Sequence, residues 1–218
     1  DLSSYALRRT RMLGGAGAMA AVCACLAGVE TLGEAFKDED IRTLLGKALT
    51  EEMPPDAGFS RTENLQYAVQ VCSYLENACA GEKWPEMGEN LLARYVRAIL
   101  PAMTEYEQKS AALPRRLAFA VSALIMLYSG VRPDDQGVYT LAGKDGSMPV
   151  LDRAEALRAF SRLSCDMPCE ALAYAALSDC EIWGCDLREI EGLEELATEQ
   201  LRDMQMLGVC EAMRKASK

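Results

Sequence analysis

Histidine is absent from the 218 residues of this chain. With it goes the commonest general base and any Ser-His or Cys-His nucleophile pair, so acid–base chemistry here could come only from Asp, Glu, Lys, Tyr or a thiolate. No membrane span is expected, since crossing takes an apolar run of about 18 residues. The best candidate, Leu117 to Tyr128, is too short. The opening Asp1-Leu2-Ser3-Ser4 shows no basic stretch followed by an apolar one, so no secretory leader is expected. It lacks an initiator Met as well, and the native chain is expected to begin upstream. Basic residues are outnumbered 23 to 33, for a formal net charge of −10. Nucleic-acid binding, which needs Lys and Arg gathered against phosphate, is therefore not expected.

Cysteine is plentiful, at nine residues, but its spacing is wrong for a metal. Cys23/Cys25, Cys165/Cys169 and Cys180/Cys185 all miss the CxxC pattern, and without histidine a zinc site would need thiolates alone or thiolates with carboxylates. No metal site is expected. In a chain that is 50% hydrophobic, the thiols are expected to be buried and reduced, and the protein cytoplasmic.

What is present reads as helix almost throughout. Ala16 to Val29 is a small-residue apolar segment suited to a buried helix. Asp38-Glu39-Asp40 opens another, with acids at its positive end and Ile41, Leu44, Leu45, Ala48 and Leu49 at helical spacing, and Met53 to Gly58 breaks it. Ser60 with Glu63 forms a capping box, and Leu65, Ala68, Val69, Cys72 and Leu75 make the apolar stripe that follows. Further helices are expected over Pro85 to Leu100, Ala102 to Ala111, Pro114 to Tyr128, Asp152 to Leu163 with Asp152 as the cap, Pro168 to Leu177, and Leu193 to Leu207. The stretch 131–150 differs: Gly, Pro and Asp alternate with Val138 to Leu141 and Met148 to Val150, giving a short hairpin through Gly143 to Gly146 or an irregular loop. The expected fold class is all-α, multi-helical. Trp183 and Met204, Met206 and Met213 are expected to be packing residues. Glu191, Glu194, Glu195 and Glu199 are expected on a solvated face.

Five segments carry a family resemblance: RRTRMLGGAGAMA (Arg8 to Ala20), Tyr95 to Pro101, Leu113 to Ala120, Ala123 to Gly130, and Trp183 to Leu193. In this order they resemble the C-terminal domain of the long-chain mannitol dehydrogenase family, in its tagaturonate reductase (altronate oxidoreductase) branch. The resemblance implies a helical domain over 1–218, like those of mannitol and 6-phosphogluconate dehydrogenases. It also implies an N-terminal Rossmann partner domain, absent from this chain, that binds NAD in a full-length member. The family's catalytic helix carries a lysine that trades a proton, and an asparagine and a histidine that position the reacting oxygen. Those positions fall here on Arg9, Gly14 and Gly17. Arg9 keeps the charge, but a guanidinium stays protonated and cannot act as a base. A second family cluster falls on Gly81, Glu82 and Leu91 to Tyr95, which makes Arg94 and Glu82 the candidate substrate-binding residues, Arg94 attracting a sugar-acid carboxylate and Glu82 opposing it.

Gly15-x-Gly17-x-x-Ala20 matches a loose dinucleotide pattern. It follows a charged segment suited to a helix surface, however, rather than the buried strand that pattern requires. No cofactor is expected in this chain. Two functions remain: the substrate domain of an NAD-dependent hexuronate or polyol oxidoreductase, inactive alone, or a non-catalytic helical module for binding or assembly.

Overall fold

Small side chains decide the centre of the molecule. The computed structural model describes residues 2–77, 81, 89–143 and 146–218. Its first helix, α1, runs Leu2–Ala27, and from Gly15 to Ala24 every residue is buried. Gly and Ala let neighbouring helices approach this stretch from all sides. The most apolar stretch is therefore in α1 and not, as expected, Leu117 to Tyr128: Met12 to Ala27 carries no charged side chain, and by length and composition α1 could cross a membrane, but 67% of its apolar window is buried inside the protein, which marks it as the core helix. Gly28, at φ 70°, takes the left-handed conformation that ends it.

Around α1 lie α2 (Leu32–Ala35), α3 (Glu39–Lys47, continued by a wide π-turn over Ala48–Glu52) and α4 (Arg61–Asn77). Asp38 caps α3 through its carboxylate, which accepts from the Asp40 and Ile41 N–H groups at 2.9 and 3.1 Å. At the start of α4, Glu63 accepts from the Ser60 N–H at 2.8 Å while its own N–H reaches Ser60 Oγ at 3.2 Å, the expected capping box. The stripe of α4 is rotated from expectation. Asn64, Ala68, Val71 and Leu75 face inward, while Leu65 and Val69 stay exposed, because α4 packs on one narrow side only.

The helices expected on either side of Pro101 are one. Leu91–Arg94, Tyr95–Ile99 and Leu100–Ser110 continue without a break as α5, the middle segment being a π-turn. Proline has no N–H to give and its ring crowds the carbonyl four residues back. The wide turn just before it, closed by the Leu100 N–H on Tyr95 O, relieves both problems. The expected start of this helix, from Pro85, lies outside the described residues.

Beyond it, α6 (Arg115–Tyr128) packs against α1 and against α10 (Leu193–Leu207). Ser122 Oγ donates to Gln200 Oε1 at 2.9 Å, and Gln200 Nε2 donates to Arg115 O at 2.9 Å, so the buried polar pair is satisfied. The 131–150 stretch is the expected hairpin, with a small addition: β1 (Arg132–Pro133), β2 (Tyr139–Gly143) and β3 (Gly146–Pro149) form an antiparallel sheet with Gly143 opposite Gly146.

Asp152 does not cap α7 (Ala154–Phe160), which has no side-chain cap. Its carboxylate instead joins three elements, accepting from Leu92 N–H at 2.8 Å, Arg153 N–H at 2.9 Å and Tyr128 OH at 3.1 Å. The rest is α8 (Cys169–Ser178), α9 (Cys180–Trp183), α10, and a closing α11 (Val209–Ala216) that the sequence reading lacked. Trp183 is buried, its indole N–H on Ala176 O at 2.7 Å. Met204 and Met213 are packed, but Met206 is 77% exposed, because it faces away from the side of α10 that packs. Cysteine burial is mixed: Cys23 and Cys169 are buried, whereas Cys165 and Cys185, on connecting turns, and Cys180, at the start of α9, are exposed.

Candidate functional site

Two wide turns build the site. The first, Arg9–Gly14, lies within α1, and the second, Tyr95–Ile99, within α5; they pack against each other. A π-turn holds more residues than an α-turn, so side chains there leave the regular rows, and such turns occur often at functional sites.

Between these turns opens a cavity of about 440 Å³. Arg9, Thr10, Leu13, Gly14 and Gly17 line it from α1, Arg94, Arg97 and Ala98 from α5, and Tyr74 and Leu75 from α4. The structure thus brings Arg9, Gly14, Gly17 and Arg94 to one place. Glu82 lies outside the described residues. Arg97 and Tyr74 were not anticipated: Arg97 had a signal in its three-residue spacing from Arg94 along one helix face, whereas Tyr74 arrives from a helix whose rotation the sequence did not reveal. Among the described residues lining the cavity there is no carboxylate.

Neighbouring arginines of α1 are used differently. The Arg8 guanidinium lies 3.7 Å from the centre of the Phe59 ring and 4.5 Å from that of Tyr67, a cation–π arrangement. Arg11 is buried and paired with Glu105. That carboxylate also takes Lys109 Nζ at 2.7 Å and the Asp56 N–H at 2.6 Å. Partial burial pushes the Glu105 pKa up, but these donors outweigh it and bring it down to about 2. Arg9, by contrast, is exposed at the cavity.

The glycines divide the same way. A Cβ on Gly15 would sit 2.5 Å from Met53 Cε, 3.2 Å from Ile99 Cδ1 and 3.3 Å from Ala98 Cβ, so packing is tight there and any side chain would make the end of Met53 move. A Cβ on Gly14 would meet nothing within 4 Å, and one on Gly17 only Leu75 Cδ2 at 3.7 Å. Packing therefore leaves room for side chains at these two positions, and their absence leaves backbone alone facing the space.

Other chemistry at this face is limited. Gly15, Gly17 and Ala20 lie inside a helix that is preceded by helix, so their N–H groups do not form a strand-to-helix phosphate loop, and this segment does not fit a nicotinamide dinucleotide. Elsewhere, Asp38, Asp40 and Cys210 place ligand atoms within 4.8 Å of one another. Asp38 is committed to the α3 cap, and Asp40 to Arg214 Nε at 2.8 Å, so a cation would compete with a guanidinium and a helix N-terminus. Burial pushes the Cys23 and Cys25 thiols up to about 12, which leaves them inert as nucleophiles near neutral pH.

The model of the mannitol dehydrogenase C-terminal domain matches residues 1–205. An altronate oxidoreductase of Yersinia enterocolitica is 30% identical over 93% of this chain and 41% of its own length. One from Klebsiella pneumoniae is 31% identical over 98% of the chain and 43% of its own length. The chain thus spans about two-fifths of the curated relatives it matches. Among solved structures, Pseudomonas fluorescens mannitol 2-dehydrogenase, in a ternary complex with NAD and D-mannitol, superposes with a TM-score of 0.77 at 12% identity, over 99% of this chain and 41% of that one. A substrate-free D-sorbitol dehydrogenase gives 0.74 at 14% identity, over 98% and 41%. These two likenesses concern the fold.

Proposed function

Because the chain belongs to the mannitol dehydrogenase C-terminal domain family, we propose that it is the substrate-side domain of a cytoplasmic hexuronate or polyol oxidoreductase type, keeping a sugar-acid pocket but not the proton chemistry of reduction. The observation that carries this reading is the cavity lined by Arg9, Arg94 and Arg97 in a chain of net charge −10. Guanidinium groups hold carboxylates through paired N–H donors, so a small sugar acid is the ligand class that matches.

The loss of catalysis follows from what occupies the reacting positions. Arg9 remains cationic at ordinary pH and cannot withdraw a proton from a hydroxyl. Gly14 and Gly17 bring no donor side chain to polarise a carbonyl. A nicotinamide cofactor would supply or accept the hydride. In this reading it is held by an N-terminal Rossmann domain of the kind the longer relatives have room for, and no residue of this chain is assigned to it. What remains to the chain is to bind and orient an acid.

Calorimetry with tagaturonate on the wild type and on Arg94→Ala tests the pocket. Binding near millimolar, about −4 kcal/mol, is expected for the first and loss of heat for the second; equal heats in both would remove the assignment. A parallel assay with tagaturonate, fructuronate or fructose and either nicotinamide cofactor tests inactivity. Turnover at ordinary enzyme rates, roughly 1 to 1,000 per second, would show that another residue has taken the base's role.

A further inference from the structure

The cavity takes charge from two helices. Arg9 comes from α1 and Arg97 from α5, both exposed at the cavity and neither with a carboxylate partner among the described residues. A single carboxylate has two oxygens and satisfies one guanidinium bidentately. The other guanidinium would then keep its charge without an anion, at a cost in repulsion that falls as a second negative group arrives. The lining also includes two hydroxyl-bearing residues, Thr10 and Tyr74, and Gly14, which has open space where a side chain would be; this composition suits a chain of hydroxyl-bearing carbons.

Resting on the reading that this cavity is the ligand site, we infer that its ligand is a short polyhydroxy chain with an anionic group at each end, one held by Arg9 and the other on the α5 side by Arg97 beside Arg94. Two compound classes share that chemistry, sugar dicarboxylates and phosphorylated sugar acids. A sugar acid charged at one end only uses half of the site.

Titration calorimetry of the chain with galactarate, 6-phosphogluconate, gluconate and inorganic phosphate separates the possibilities. At least one of the first two is expected to bind tenfold or more tightly than gluconate, with a steeper loss of affinity as salt rises. Whichever it is identifies the second anionic group. Arg9→Gln and Arg97→Gln should each reduce that preference at least fivefold, with thermal midpoint and circular dichroism showing the fold retained. Gluconate binding as tightly as both doubly charged compounds would overturn the inference while leaving the pocket assignment in place. Inorganic phosphate matching 6-phosphogluconate would overturn it too, since the sugar chain would then contribute nothing. No heat with any of the four would remove the pocket assignment along with it.

Discussion

Two arginine clusters in this molecule stand in opposite circumstances. At the end of α3, the Glu52 carboxylate accepts from Leu117 N–H at 2.9 Å and Arg116 N–H at 3.3 Å, and Arg116 Nη1 lies 2.9 Å from Glu52 and 2.7 Å from Glu51. One helix end thereby caps the first turn of another. Burial pushes the Glu52 pKa up, and the donors pull against it. In the cavity between α1 and α5, Arg9 and Arg97 have no carboxylate partner among the described residues. The chain has acids in excess, so their supply does not explain the difference. Arg116 and Arg11, buried between helices, each have an acid beside them; at Arg9 and Arg97, exposed at the cavity, that role is open to a ligand.

The buried pair should be the more sensitive to breakage. Glu52→Ala would leave two buried helix N–H groups without their acceptor and Arg116 with the half-exposed Glu51 alone, and a loss of about 3–5 kcal/mol is expected, measured by urea unfolding. Next comes close packing beside the cavity: Gly15→Leu must displace Ile99 and Ala98 as well as Met53, and about 1–3 kcal/mol of destabilisation is expected in the same assay. Its neighbour sharpens the contrast, because Gly14→Ala meets nothing and removes a glycine from a helix interior. A gain of roughly 0.5–1 kcal/mol in thermal unfolding is expected, and a loss would mean that the cavity wall is tighter than described.

The remaining test is a pH dependence. Glu105 titrates at about 2 in the folded chain against an ordinary 4.5, so its contribution to stability is present above about pH 4.5 and disappears as pH falls toward about 2. Unfolding midpoints of the wild type and Glu105→Gln should therefore differ most near neutrality and converge in acid. A gap that stayed constant with pH would contradict the assignment.

The elements governed by local chemistry were legible in the sequence. The Ser60–Glu63 box, the acidic start of α3 at Asp38 to Asp40, the hairpin alternative for 143–146 and the bounds of Leu193–Leu207 each follow from residues within a few positions of one another. The elements governed by distant partners were not. Asp152 looks like a cap beside Ala154, but it bonds to Leu92 and Tyr128, which no local pattern encodes. The inward face of α4 depends on which neighbour covers it, and its Leu65 and Val69 mimic a buried stripe. The candidate site divides similarly. Positions 9, 14, 17 and 94 could be named by register, whereas their meeting in one cavity with Arg97 and Tyr74 depends on two wide turns that composition does not announce. Pro101 could have hinted at the second.

Those wide turns also set the phase between the two halves of each helix. An α-helix advances about 100° per residue, so one residue more or less inside Arg9–Gly14 decides whether Arg9 and the faces of Gly14 and Gly17 point into the same space. Deleting Thr10 would tighten the turn and swing Leu2–Arg8 around the axis relative to Gly15–Ala27, leaving the buried half of α1 in its place. A single-codon deletion is thus a route by which a gene could discard this cavity in one step while keeping the core, and an insertion of the same size is a route by which it could first have been opened.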